Sequence, residues 1–131
     1  MQKTQWRPLS FLPALAHHID AMLLADLNHY ANLLRAKGKP HLLDHQTIHE
    51  VLQVFSSAKN DLPLYDTLLQ QWEREYLTST QRQEIFRLKV QMHKLHRVID
   101  TILSLANELR KGTNEKQRET TGQDGKRNRR A

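Results

Sequence analysis

Residues 85–109 read IFRLKVQMHKLHRVIDTILSLANEL. Ile85, Leu88, Met92, Leu95, Ile99, Ile102, Ala106 and Leu109 follow one another at alternating steps of three and four. That spacing returns each side chain to the same side of an α-helix and makes a heptad seam. The strand alternative needs alternation with a period of two, which appears nowhere in the chain. Thr78 or Thr80 can cap the start of this helix, with Gln81 or Gln83 three residues on completing a capping box. Arg110, Lys111 and then Gly112 suit its end, because cations favour the last turn and glycine the residue after it. The spacing predicts a helix over about 79–111.

Two more segments carry the same period. Ile48, Val51, Leu52, Phe55, Ala58, Leu62, Tyr65, Leu68, Leu69, Trp72 and Tyr76 keep their phase across Pro63. They predict one helix over about 45–76, capped by Asp44 and kinked near Pro63. A break at Asn60-Asp61, with Asp61 as a new cap, is the alternative. Leu15, Ala16, Ile19, Met22, Leu23, Leu27, Tyr30, Leu33 and Leu34 predict a helix over about 11–37, with Ser10 as cap and Pro13 in its first turn. Gly38-Lys39-Pro40 ends it.

Short connections make sequential helices antiparallel. The expected fold is all-α: an up-down-up antiparallel bundle of three long helices. The first helix is the shortest. Trp6, Leu9, Phe11 and Leu12 are expected to cover the end it leaves open, against Trp72, Tyr76 and Phe86.

Charge is unevenly spread. Residues 1–110 hold 13 Lys/Arg against 11 Asp/Glu, and residues 111–131 hold 7 against 3, which accounts for the net +6. Residues 1–112 are therefore expected to form one domain, and 113–131 a disordered basic tail. Lys126, Arg127, Arg129 and Arg130 are candidate contacts to nucleic-acid phosphate. No aromatic residue interleaves with them, so base stacking is not implied.

The chain has no cysteine, which removes disulfides, thiolate nucleophiles and Cys-based metal sites. No apolar run reaches membrane-spanning length. Pro8, Ser10 and Pro13 interrupt the apolar stretch that a secretory signal would need. A cytoplasmic location is expected.

Eight histidines raise the question of metal. His41, His45 and His49 recur every fourth residue, but His41 precedes the Asp44 cap and leaves the ladder short of a site. A better set comes from the expected register, in which residue n of the first helix lies level with about n+73 of the third. His18 and Asp20 then approach His93 and His96, ligand types suited to zinc or iron. No cofactor is expected otherwise.

No nucleophile motif or glycine-rich phosphate loop is present, and no catalytic residue is assigned. Arg87 and His93 are similar in spacing to the Arg-x4–6-His motif of the HEPN ribonucleases, which are also small and helical. Leu88, not a polar residue, follows the arginine here, and six residues is a poor fit to one helical face.

Val98, Leu103 and Leu105 widen the apolar arc of the third helix beyond its seam. They are the expected contact stripe for a partner, most simply a second copy of the chain. The expected role is that of a non-enzymatic bundle acting through protein–protein contacts, with self-association. Nucleic-acid binding through the tail is the first alternative, and metal binding the second.

Overall fold

The computed structural model describes residues 7–39 and 43–130, with side chains as far as residue 112. It contains a short 3-10 turn at Leu9–Phe11 and three helices: α1 (Leu12–Lys37), α2 (His45–Glu73) and α3 (Ser79–Arg130). The expected all-α three-helix bundle is the observed one.

Polar pairs between helices report the chain directions. Pairs between α1 and α3 keep a nearly constant difference in residue number: 67 for Asp20–Arg87 and, toward the other end of α1, 71 for Lys37–Glu108. A constant difference means parallel helices. His96–Asp66, Lys89–Glu73 and Lys59–Asp100 instead keep a nearly constant sum, the signature of antiparallel α2 and α3. His18–Tyr65 and His29–Phe55 do the same for α1 and α2. The bundle is therefore up-down-up, with an α1–α3 register two to six residues shorter than expected.

The α3 helix is the central element, packing on both α1 and α2. Ile85, Leu88, Met92, Leu95, Ile99, Ile102 and Ala106 are buried as the seam requires. Among the described residues the buried set holds no polar or charged side chain. Burial of apolar surface thus supplies the main drive to assemble. The polar pairs sit around its rim.

Local signals fix the helix starts. The Asp44 carboxylate accepts from the Thr47 amide at 2.7 Å. Thr78 and Gln81 form a reciprocal capping box: the Gln81 amide donates to Thr78 Oγ1 at 3.0 Å, and the Thr78 amide to Gln81 Oε1 at 2.9 Å. Each cap satisfies amides that a helix start leaves unpaired. Ser10 does not cap α1. It lies inside the 3-10 turn, and α1 begins after Phe11 with no side-chain cap.

The α2 helix passes through Pro63 without a break, as the preserved phase predicts, and ends at Glu73 rather than near 76. Tyr76 is consequently outside the helix and fully exposed, and Phe86 is exposed on α3. Only Trp72 of the three expected aromatics closes the end of the bundle. Its indole Nε1 donates to the Arg7 carbonyl at 2.8 Å, with the ring fully buried. Leu12 is buried and Leu9 partly so beside the core, while Phe11 stays exposed. Trp6 lies outside the described residues.

The α3 helix does not stop near Gly112. Its backbone continues to Arg130, and Gly112 has no left-handed backbone. A terminating glycine acts by adopting a positive φ, and this one does not.

Pro63 lacks the amide that would bond to the Lys59 carbonyl one turn back, yet its side chain is exposed. Pro63→Ala should restore that bond without touching the core. Urea unfolding should show a gain of roughly 1–3 kcal/mol, the scale set by proline in a helix interior.

Candidate functional site

The surface offers three arrangements: a rim of polar pairs, a histidine-bearing cleft, and an exposed apolar row.

The strongest part of the rim is centred on Arg87. Its guanidinium donates to both oxygens of Asp20, each at 3.0 Å, and to both oxygens of Glu84, each at 2.9 Å. Gln91 donates to the same Asp20 at 3.1 Å. The Arg87 hydrogen bonds hold Asp20 and Glu84 below the usual carboxylate range and raise Arg87 itself. Arg87 is thereby committed to tying α1 to α3. The HEPN-like spacing with His93 finds no supporting geometry, because both partners of Arg87 are carboxylates.

The four expected metal ligands are dispersed. His18 hydrogen-bonds the Tyr65 hydroxyl at 3.1 Å, its ring edge-on to the tyrosine. Asp20 is held by Arg87 and Gln91, and His96 meets Asp66 at 2.7 Å. His93 alone is left beside His96. Among the described residues no group of three or more His, Asp or Glu could hold an ion. The proposed convergence fails because α2 lies between its members: Tyr65 and Asp66 of α2 each capture one histidine. His45 and His49 are exposed, and His41 lies outside the described residues.

His93 and His96 line a shallow cleft of about 300 Å³ with Asp66, Gln70, Lys89 and Met92. A carboxylate on one imidazole nitrogen orients the ring and leaves the other nitrogen to handle a proton. The cleft lacks a serine or threonine to serve as nucleophile. Its one cation, Lys89, is bound to Glu73 at 2.8 Å. Its chemistry therefore stops at an oriented histidine.

The expected contact stripe on α3 is mostly core. Val98 and Leu105 are buried, and Leu103 packs partly buried against the same cluster. The wide apolar arc serves two helices, with α1 on one flank and α2 on the other.

Val54 and Leu64 of α2 and Phe86 and Val90 of α3 are exposed, but the longest regularly spaced run of exposed apolar residues is on α1. Leu24, Leu27 and Leu34 are 65%, 49% and 45% exposed. With the half-buried Ala31 they make a row of their own, at steps of three, four and three. On the helical wheel Leu27 and Leu34 stand within about 20° of the buried Ala16, so the row adjoins the buried arc, with Leu24 farthest from it. Leu27 and Leu34, expected in the core, are exposed, and Leu24 lies beside them. The second heptad row was the available signal. By the α1–α3 offset, Leu27 and Leu34 stand level with about Val98 and Leu105, so the row borders the edge of the core.

Asp26 occupies a seam position of α1 between Met22 and Leu33. Burial raises its pKa, against a smaller opposing effect of His29. It has no hydrogen-bond partner among the described residues.

Lys126, Arg127, Arg129 and Arg130 lie beyond the residues whose side chains are described. No described helix is long and apolar enough to cross a membrane. No protein-family model matches the chain, and no curated protein or solved structure shows significant similarity to it.

The two kinds of carboxylate give opposite pH responses. Asp20 and Glu84 have lowered pKa values, so their contribution is present above the ordinary values near 3.8 and 4.5 and is lost as pH falls through the depressed ones. Arg87→Met should reduce stability at pH 7 and flatten this acid loss in thermal melts between pH 5 and about 2. Asp26 has a raised pKa, so its cost is absent below 3.8 and grows as pH rises through the folded value. Asp26→Asn should therefore stabilise the fold at pH 7 in urea unfolding, by less than about 1 kcal/mol given the water that still reaches the site. The gain should vanish in strong acid.

Proposed function

We propose that this protein is a non-enzymatic helical module that acts through protein–protein contacts, binding a second copy of itself through the exposed face of α1. The observation that carries this reading is the row Leu24, Leu27, Ala31 and Leu34. Scattered surface leucines are ordinary. A heptad-spaced row on one helix is the surface that a partner helix covers. Its spacing repeats the logic by which α3 recruits α1 and α2.

The polar features support the same reading by what they are used for. The Arg87 network, the Lys59–Asp100 and Lys89–Glu73 pairs and His96–Asp66 all join one helix of the bundle to another. They hold the module in shape, and none of them covers the apolar row of α1.

Light scattering and sedimentation of the wild-type chain should show a monomer–dimer equilibrium that depends on concentration. Leu27→Glu should abolish the dimer and change folding stability by no more than about 0.5 kcal/mol, since the side chain is largely exposed in the monomer. A wild-type chain that stays strictly monomeric at high micromolar concentration removes the reading.

A further inference from the structure

We propose that the groove between the first half of α2 and Arg110 of α3 binds a sugar phosphate. The groove measures about 490 Å³ and is lined by His49, Gln53, Ser56, Ser57 and Asn60 of α2 together with Arg110. It is separate from the apolar row of α1 and needs no second copy of the chain.

Its polar groups are of one kind. No carboxylate lines it. The histidine cleft, by contrast, holds Asp66, bound to His96, and the cleft beside Phe86 holds Glu73, bound to Lys89. Arg35, Arg82 and Arg87 each donate to an oxygen of the chain. Arg110 has no such partner among the described residues. Nor does any of the five polar side chains of α2 that face it. The groove therefore presents one guanidinium and a set of neutral hydrogen-bonding groups, all free to meet a ligand.

The helix sets these groups in a line. His49, Gln53, Ser56 and Asn60 recur at steps of four, three and four, about 130° around α2 from the buried Phe55. By the register of Lys59–Asp100 and Asp66–His96, Arg110 stands level with about residues 49–52. The charged end of the groove is thus the end with His49 and Gln53. Asn60 lies roughly 12 Å beyond Leu52 along the helix axis.

Two kinds of chemistry follow from that order. A guanidinium can donate a pair of hydrogen bonds to two oxygens of one phosphate, and His49 and Gln53 can add to them. Ser56, Ser57 and Asn60 carry no charge and both donate and accept, which suits the hydroxyls of a sugar. Leu52, also in the lining, offers an apolar surface to the carbon face of the ring. A phosphate monoester on a polyol body has this same order of charge followed by hydroxyls. Because the groove is open to water, half-saturation is expected on the order of 1 mM.

The test is a titration of the full chain with glucose 6-phosphate at constant ionic strength, followed by amide NMR. Signals from His49 to Asn60 and around Arg110 should shift and saturate. Inorganic phosphate should shift only the Arg110 end and bind more weakly, and glucose should shift nothing at low millimolar concentration. Arg110→Gln should weaken glucose 6-phosphate binding about tenfold. Asn60→Ala should weaken it roughly threefold and leave inorganic phosphate unchanged. Both side chains are exposed, so the fold should be kept. Arg97→Gln removes an equal charge elsewhere on α3 and should have no effect. Shifts that fail to saturate, unchanged binding by Arg110→Gln, or an equal loss with Arg97→Gln would overturn the site. Equal affinity for phosphate and sugar phosphate would overturn the role of the neutral end.

Discussion

The structure depends on one constraint: α3 must be covered on two flanks at once. Its buried positions run from Ile85 to Ala106, and they include not only the seam but also Val98 and Leu105 beside it. One partner helix could not keep all of these from water. Two can, and the short connections of the chain deliver them, α2 by a tight reversal after Glu73 and α1 by the return near Lys39. The fold follows from the width of that apolar arc as much as from its period.

That dependence explains what was legible in the sequence. Helix number, order and direction followed from the steps of three and four, and Asp44 and the Thr78–Gln81 box acted as their chemistry requires. What escaped were features set by tertiary geometry. Val98 and Leu105 read as surplus while α3 was pictured with a narrow seam, and became core once two helices were found to flank it. Leu27 and Leu34 share a periodicity with Leu15 and Ile19 and so look like core, although they stand at the edge of the buried arc beside Ala16. Periodicity says that residues share a face; it does not say which of two adjacent faces meets the bundle.

The histidines show the same limit in chemical form. Register alone brought His18 and Asp20 of α1 near His93 and His96 of α3. Which groups lie between them is decided by the third helix. Tyr65 takes His18, Asp66 takes His96, and Arg87 takes Asp20. These three groups are each satisfied by a nearby complementary one, so a plausible ligand set becomes a set of separate ties between helices. The Glu73–Lys89 pair acts likewise on the one cation of the histidine cleft. The candidate metal site thus drew on residues whose positions the sequence could place along each helix, but not around it.

The same accounting bears on why the uncovered apolar row is on α1. The α3 helix lies between two neighbours, which cover its seam and leave Phe86 and Val90 exposed. The outer helices each meet α3 along one side, so an outer helix is where a second apolar row can remain exposed. On α1 the row is four residues long and keeps heptad spacing. A row kept only for solubility would be polar, and a row kept only for the core would face Leu15 and Ile19. Leu24, Leu27 and Leu34 do neither. Their burial requires a surface that this chain, folded alone, does not supply.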